Sequence, residues 1–198
     1  QNVDGSYDQA FPNEKSYAAT AFILNSMLST MEIVNNLLSP NLKKKVLTCI
    51  KKSALFLYSS KENHGVISNH IAGSALALLK CSILFNDELL KIKSNEIVSS
   101  LIENQSNEGW FLEYENADPG YQTLCTEYLI QISLINETPD LNSCIKKSVK
   151  FLSYFINPDG SFSGEYGSRR TQIYYPGGIS LLSNNNPLAY KMTIFMIQ

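Results

Sequence analysis

Cys49-Ile50-Lys51-Lys52-Ser53, followed by Phe56-Leu57, returns as Cys144-Ile145-Lys146-Lys147-Ser148, followed by Phe151-Leu152. The two copies lie 95 residues apart, and a glycine stands 16 residues after each cysteine, at Gly65 and Gly160. A weaker copy, Ile97-Val98 through Leu101-Ile102, leads to Gly109 between them. Counting from Gly5, the four glycines are separated by 60, 44 and 51 residues. A period near 50 residues suits a pair of helices with two connecting loops.

Each unit reads alike. A polar, glycine-containing loop precedes a helix whose first turns hold small residues: Ala18-Ala19-Thr20-Ala21, Ala72-Gly73-Ser74-Ala75 and Thr123-Leu124-Cys125-Thr126. Pro40, Asn86-Asp87 and Thr138-Pro139-Asp140 mark short turns into a second helix. In that second helix Val46, Ile50, Ala54 and Leu57 make an apolar stripe, with Lys44, Lys45, Lys51 and Lys52 off it on a solvated face. The first helices are expected to be buried on several sides and the second ones on one side. An all-α fold of helical-hairpin repeats, forming an α/α toroid or an incomplete toroidal arc, accounts for both patterns; an extended α-solenoid is the alternative. No long period-2 alternation predicts strands. Residues 1–198 are expected to form one domain of about four helix pairs, part of a longer protein.

Composition narrows the function. Sixteen Lys plus Arg against eighteen Asp plus Glu leave a net charge of -2, which argues against a basic nucleic-acid surface. No apolar run approaches the roughly 20 residues of a membrane span. The polar start, Gln1 to Asp8, is not a signal peptide, so the expected compartment is the cytoplasm, or the periplasm after removal of a leader. Cys49, Cys81, Cys125 and Cys144 lie far apart in apolar stretches and read as buried free thiols. Neither a metal nor a cofactor is expected.

The rare residues are informative. Only two arginines are present, Arg169 and Arg170, with two histidines, His64 and His70, and one tryptophan, Trp110. Loops between successive helix pairs fall at one end of such an array: Asp4 to Asn13, Lys61 to Asn69, Gln105 to Gly120 and Asn157 to Gln172. All five rare residues lie in or beside them, together with many acids and tyrosines. Polar loops on a rigid scaffold are where sites form.

Gln105-Ser106-Asn107-Glu108-Gly109-Trp110 resembles the glutamine-tryptophan repeat of terpenoid cyclases, and Asn157-Pro158-Asp159-Gly160-Ser161-Phe162 resembles the repeat loop of those enzymes and of prenyltransferase β subunits. A second resemblance is to the toroid domain of alginate-lyase and heparinase type polysaccharide lyases. There an Asn-His pair opens an inner helix, and about one repeat later comes a Gly-aromatic-acid loop ending near a Tyr. Here Asn69-His70 opens the helix, and Gly109-Trp110-Phe111-Leu112-Glu113 runs on to Pro119-Gly120-Tyr121, 51 residues beyond His70. Asp159 to Tyr166 repeats the style, with Arg169, Arg170, Tyr174 and Tyr175 behind it.

This resemblance implies β-elimination on an acidic polysaccharide. Asn69 and Arg169 would neutralise the uronate carboxylate, Tyr121 would move the proton, and His70 would orient it or act as base. Trp110, Glu113, Tyr114, Asp118, Glu165, Tyr166, Arg170 and Tyr174 would line the substrate, with Trp110 offering a flat face to a sugar ring. The expected partner is a carbohydrate or other small molecule, with no nucleic acid and no membrane.

Plainer roles are open for each. Asn69 suits a helix N-cap, His70 a structural position, and Trp110 a plug between helix pairs. A glycoside hydrolase on the same fold would instead pair Asp8 or Glu14 with Glu113 or Asp118. A non-catalytic carbohydrate-binding module, or a cyclase-like module with an apolar cavity, would need no convergent base.

Overall fold

The computed structural model describes residues 1–162 and 174–197. Among them are eight α-helices: α1 (Tyr17–Val34), α2 (Pro40–Ser59), α3 (Ser68–Phe85), α4 (Glu88–Glu103), α5 (Pro119–Ile135), α6 (Pro139–Leu152), α7 (Gly177–Leu182) and α8 (Pro187–Ile197). The all-α, repeated-hairpin reading holds. One departure is a two-stranded antiparallel hairpin, β1 (Leu112–Glu113) and β2 (Asn116–Ala117), inside the loop before α5. It is too short to leave an alternating pattern in the sequence.

The helix starts follow from local chemistry. Ser39, Asp118 and Thr138 each cap a helix with a side-chain oxygen that accepts a backbone N–H three residues on, and each is followed by proline. The proline loses nothing there, because the first-turn N–H groups have no partner within the helix. Ser16 caps α1 without a proline, accepting from Ala19 N at 3.2 Å.

The chain divides into two compact units. The first holds residues 1–64 and 73–97, hence α1, α2 and most of α3 and α4. Its core joins Leu24 and Leu28 of α1, Ile50, Ala54 and Leu57 of α2, and Ala77, Leu78 and Cys81 of α3. Polar bonds tie the small-residue helices: Tyr17 Oη and Ser74 Oγ lie 2.6 Å apart, and Asn25 Nδ2 donates to Gly73 O at 2.7 Å. These approaches need the small side chains that the sequence puts there.

The second unit holds residues 65–72 and 98–198. Within its described part α5 packs on α6 and α7, and α7 on α8. The contrast between helix types is clear. Ten residues of α5 are buried, on several faces, while α2 buries only Ile50, Ser53, Ala54 and Leu57 along one stripe. Val46, the expected start of that stripe, is half-buried. Cys81, Cys125 and Cys144 are buried free thiols, as expected, whereas Cys49 is half-buried. Burial pushes the Cys81 and Cys144 thiols up to about 12, so they stay protonated. Among the described residues no helix is long and apolar enough to cross a membrane.

The repeated glycines fasten loops to helices. In the first unit an added Cβ on Gly5 would lie 2.3 Å from Lys52 O; in the second, one on Gly109 would lie 2.3 Å from Lys147 O. These are equivalent positions of the duplicated Cys-Ile-Lys-Lys-Ser segment. Gln1 Nε2 donates to Cys49 O at 2.8 Å, and Gln105 Nε2 to Cys144 O at 2.9 Å. Gly160 meets Phe195 O on α8 in the same way. The repeat breaks at Gly65, beside which there is open space. The spacing that groups Gly65 with Gly160 is therefore not matched by a common fastening.

Candidate active site

In the second unit the segment 65–70 is stitched to the hairpin of β1 and β2. Ile67 forms a bridge with Glu113, Tyr114 N donates to Val66 O at 3.0 Å, and Ser68 Oγ donates to Leu112 O at 2.7 Å. Asn69 completes the join. Its backbone N–H donates to Glu113 Oε1 at 2.8 Å and its Nδ2 to Glu113 Oε2 at 2.7 Å. Both residues are almost fully buried, at 1% and 2% exposure. Burial pushes the Glu113 carboxyl up to about 8 against the lowering effect of the two Asn69 bonds, with the Asp118 charge adding to the rise. Asn69 Oδ1 is buried with no hydrogen-bond partner. If the amide is turned over, Oδ1 can accept from a protonated Glu113, so the contact persists when the carboxyl is neutral.

Asn69 is thus not a helix N-cap. It sits inside the first turn of α3, with its amide nitrogen held by Glu113. His70 follows it, half-buried, with its backbone N–H donating to Ile67 O. Glu113, expected to line the substrate, is buried beneath the surface.

The hairpin turn presents an aromatic pair. Tyr114 has φ 62, a region that bulky side chains rarely enter, and such strain gathers at ligand sites. The residue is 45% exposed, and its ring stands 6.3 Å from that of the half-buried Tyr121 at an angle of 55°. Tyr121 is held by the start of α5, where Asp118 Oδ1 accepts its backbone N–H at 3.1 Å. Asp118 is buried and serves as the cap of α5, a structural task that its sequence position after the hairpin did not reveal.

Trp110 is half-buried and tied to its own loop. Its Nε1 donates to Glu108 Oε2 at 3.0 Å, and Ser106 Oγ accepts its backbone N–H. The plug at this loop is the next residue, Phe111, at 1% exposure. Ile67 and Phe162 are equally buried two residues after Gly65 and Gly160. The second position after glycine is thus the inward one in three of the four loops; after Gly5 it is Ser6 that is buried and Tyr7 that is half-buried. Tyr174 donates from Oη to Met196 O at 3.2 Å and lies beside Phe162, so its hydroxyl has a structural partner. Glu165, Tyr166, Arg169 and Arg170 lie outside the described residues.

Gln122 was missed. It is fully buried; its Oε1 accepts Phe111 N at 2.8 Å, while Nε2 donates to Gly109 O at 2.9 Å and Ser148 Oγ at 2.6 Å. It holds the loop that carries Trp110 to α5 and α6. In the first unit His64 lies 3.0 Å from Glu62 and 4.0 Å from Glu14. The carboxylates there staple their own loop. Glu14 accepts Gln9 N and Ala10 N, and Asp8 accepts Asn13 N and Lys15 N. Those backbone bonds hold both carboxyls below their ordinary range. Among the described residues no group of three or more His, Cys, Asp or Glu is placed to hold a metal ion.

The family model described as the ulvan lyase N-terminal domain matches residues 1–181. No curated protein and no solved structure matches the chain.

Proposed function

Since the chain belongs to the ulvan lyase N-terminal domain family, and is a polysaccharide-lyase-like, carbohydrate-active protein, we propose that the join between 65–70 and 112–121 is the catalytic end of an acidic-polysaccharide lyase. The observation that carries this reading is the Asn69–Glu113 clamp. It fixes the first turn of α3, where His70 lies, against the hairpin whose Tyr114 ring faces Tyr121.

The chemistry assigns each residue a task. Tyr121, as its phenolate, takes the proton α to the uronate carboxylate; the electron pair forms a C=C bond as the glycosidic C–O bond breaks, and the Tyr121 phenol so formed gives the proton to the leaving oxygen. His70 orients or relays that proton. Asn69, with its amide nitrogen engaged by Glu113, is a positioning residue, and the neutralising donor is Arg169, supported by Arg170. Trp110 and Tyr114 offer ring faces to the sugars.

The test is incubation of the full chain with a panel of uronic-acid polymers, following ultraviolet absorbance of unsaturated chain ends. Wild type should produce the signal on at least one polymer, and Tyr121→Phe should lose roughly 10²–10⁴-fold in rate with its fold intact. Silence on every polymer, or a fully active Tyr121→Phe, would sink the reading.

A further inference from the structure

The lysines of α2 do something that the repeat does not require. This helix carries five of the fourteen lysines and no acidic residue, in a chain of net charge -2. Lys43, Lys44 and Lys51 line, with Leu47, Thr48 and Phe85, a wide-open surface cavity of about 460 Å³ in the first unit. Lys51 Nζ stands 5.8 Å from the centre of the Phe85 ring. Lys43 and Lys51 are eight positions apart on one helix, which spreads the charges over about 12 Å.

Three points indicate that these charges serve a ligand. Lys43 to Lys45 follow directly on the first turn of α2, where the helix dipole disfavours cations and no acid offsets them. Lys43, Lys44 and Lys51 have no carboxylate within 4.0 Å among the described residues, unlike Lys15 and Lys80, which pair with Asp4 and Glu32. The duplicated helix supplies an internal control. At the 95-residue offset α6 keeps the core and docking positions, with Cys144, Ile145, Ser148 and Leu152 for Cys49, Ile50, Ser53 and Leu57. At that offset α6 starts four residues later, so that Thr138, in the place of Lys43, is its N-cap and Pro139, in the place of Lys44, its first residue, while Lys51 keeps a counterpart in Lys146. The hairpin therefore folds without lysines in the places of Lys43 and Lys44.

We propose that this cavity is a second saccharide site that holds a polyanionic polysaccharide chain, its carboxylates or sulfate esters on the three ammonium groups and a ring against Phe85. The inference rests on the carbohydrate-active character of the family and not on the chemistry assigned to Tyr121.

The experiment measures retardation of the full chain in gels containing dextran sulfate, polygalacturonate or neutral dextran, over a range of salt. The anionic polymers should retard it, less so as salt rises, and neutral dextran should not. Lys43→Gln/Lys44→Gln/Lys51→Gln, which keeps good helix formers, should weaken retention about tenfold and flatten its salt dependence. Turnover of short uronate oligosaccharides should be unaffected. Retention of the triple variant is read against its own turnover of short oligosaccharides, so the two readings stand or fall separately. Undiminished retention of the triple variant would overturn the proposal. So would tighter binding of duplex DNA than of dextran sulfate at equal salt, which would give the cavity to nucleic acid.

Discussion

Asn69 holds both oxygens of Glu113, one through its backbone N–H at 2.8 Å and the other through its side-chain amide at 2.7 Å. Forty-four residues separate them. A single carboxyl group, buried and bonded twice by one residue, thereby fixes the hairpin to the first turn of α3.

Glu113 should make stability depend on pH. Its carboxyl is pushed from 4.5 to about 8 in the fold. Between those values the native state keeps the proton and the unfolded chain gives it up, so stability falls as pH rises through that window. The protonated form contributes in full below about 4.5, and the contribution is gone above about 8. Glu113→Gln, neutral at every pH and able to accept from Asn69 N, should flatten this slope and be more stable than wild type at alkaline pH. Urea unfolding across the window decides it; parallel wild-type and variant curves would refute the assignment.

Gly109 and Gly65 should respond differently to alanine. At Gly65 the φ of 132 alone opposes a side chain, for there is open space around it, and the cost should be about 1–2 kcal/mol. At Gly109 the added Cβ also meets Lys147 O at 2.3 Å, and the cost should exceed about 3 kcal/mol. Chemical denaturation of the two variants measures the gap. Equal losses would mean that the close approach of backbone to backbone does not matter.

Tyr114→Gly should separate stability from function. The left-handed φ of 62 suits glycine, so the variant should gain up to about 1 kcal/mol or break even. It loses the ring beside Tyr121, so KM for a uronate polymer should rise several-fold. A variant that is less stable yet binds normally would show that the ring serves packing alone.

Gln122→Met tests the hidden fastening. The substitution keeps length and removes three hydrogen bonds, leaving Phe111 N without its acceptor in a buried place. The expected loss is about 3 kcal/mol. A loss below about 1 kcal/mol would mean that Gln122 does not hold the Trp110 loop.

The repeat was legible because period and spacing are properties of the chain itself. The duplicated Cys-Ile-Lys-Lys-Ser segment, the small-residue helices and the proline-marked turns at Pro40 and Pro139 all led to their places in the fold. The grouping of Asn69 and His70 with the Trp110 to Tyr121 segment was legible through resemblance. Individual roles were not. Whether Asn69 caps its own helix or bonds a carboxyl 44 residues away depends on which loop lies above it, and no local pattern records that. The same holds for Asp118, whose capping role needs the start of α5 to be known to within a residue. Trp110 drew attention because it is unique, yet burial at that loop goes to Phe111, the second residue after glycine, as it does after Gly65 and Gly160.

Gly5 and Gly109 meet their helices through a main-chain carbonyl, an atom every residue possesses. The mount of each loop is consequently indifferent to what the loop displays: Val3-Asp4 ahead of one glycine and Asn107-Glu108 ahead of the other are carried on the same fitting. Such loops are interchangeable parts. Transplanting Ser106 to Glu108 into the positions of Asn2 to Asp4, with the fully buried Ser6 kept, should give a folded chain, and new saccharide preferences can arise in this architecture by exchanging loops while the helices stay as they are.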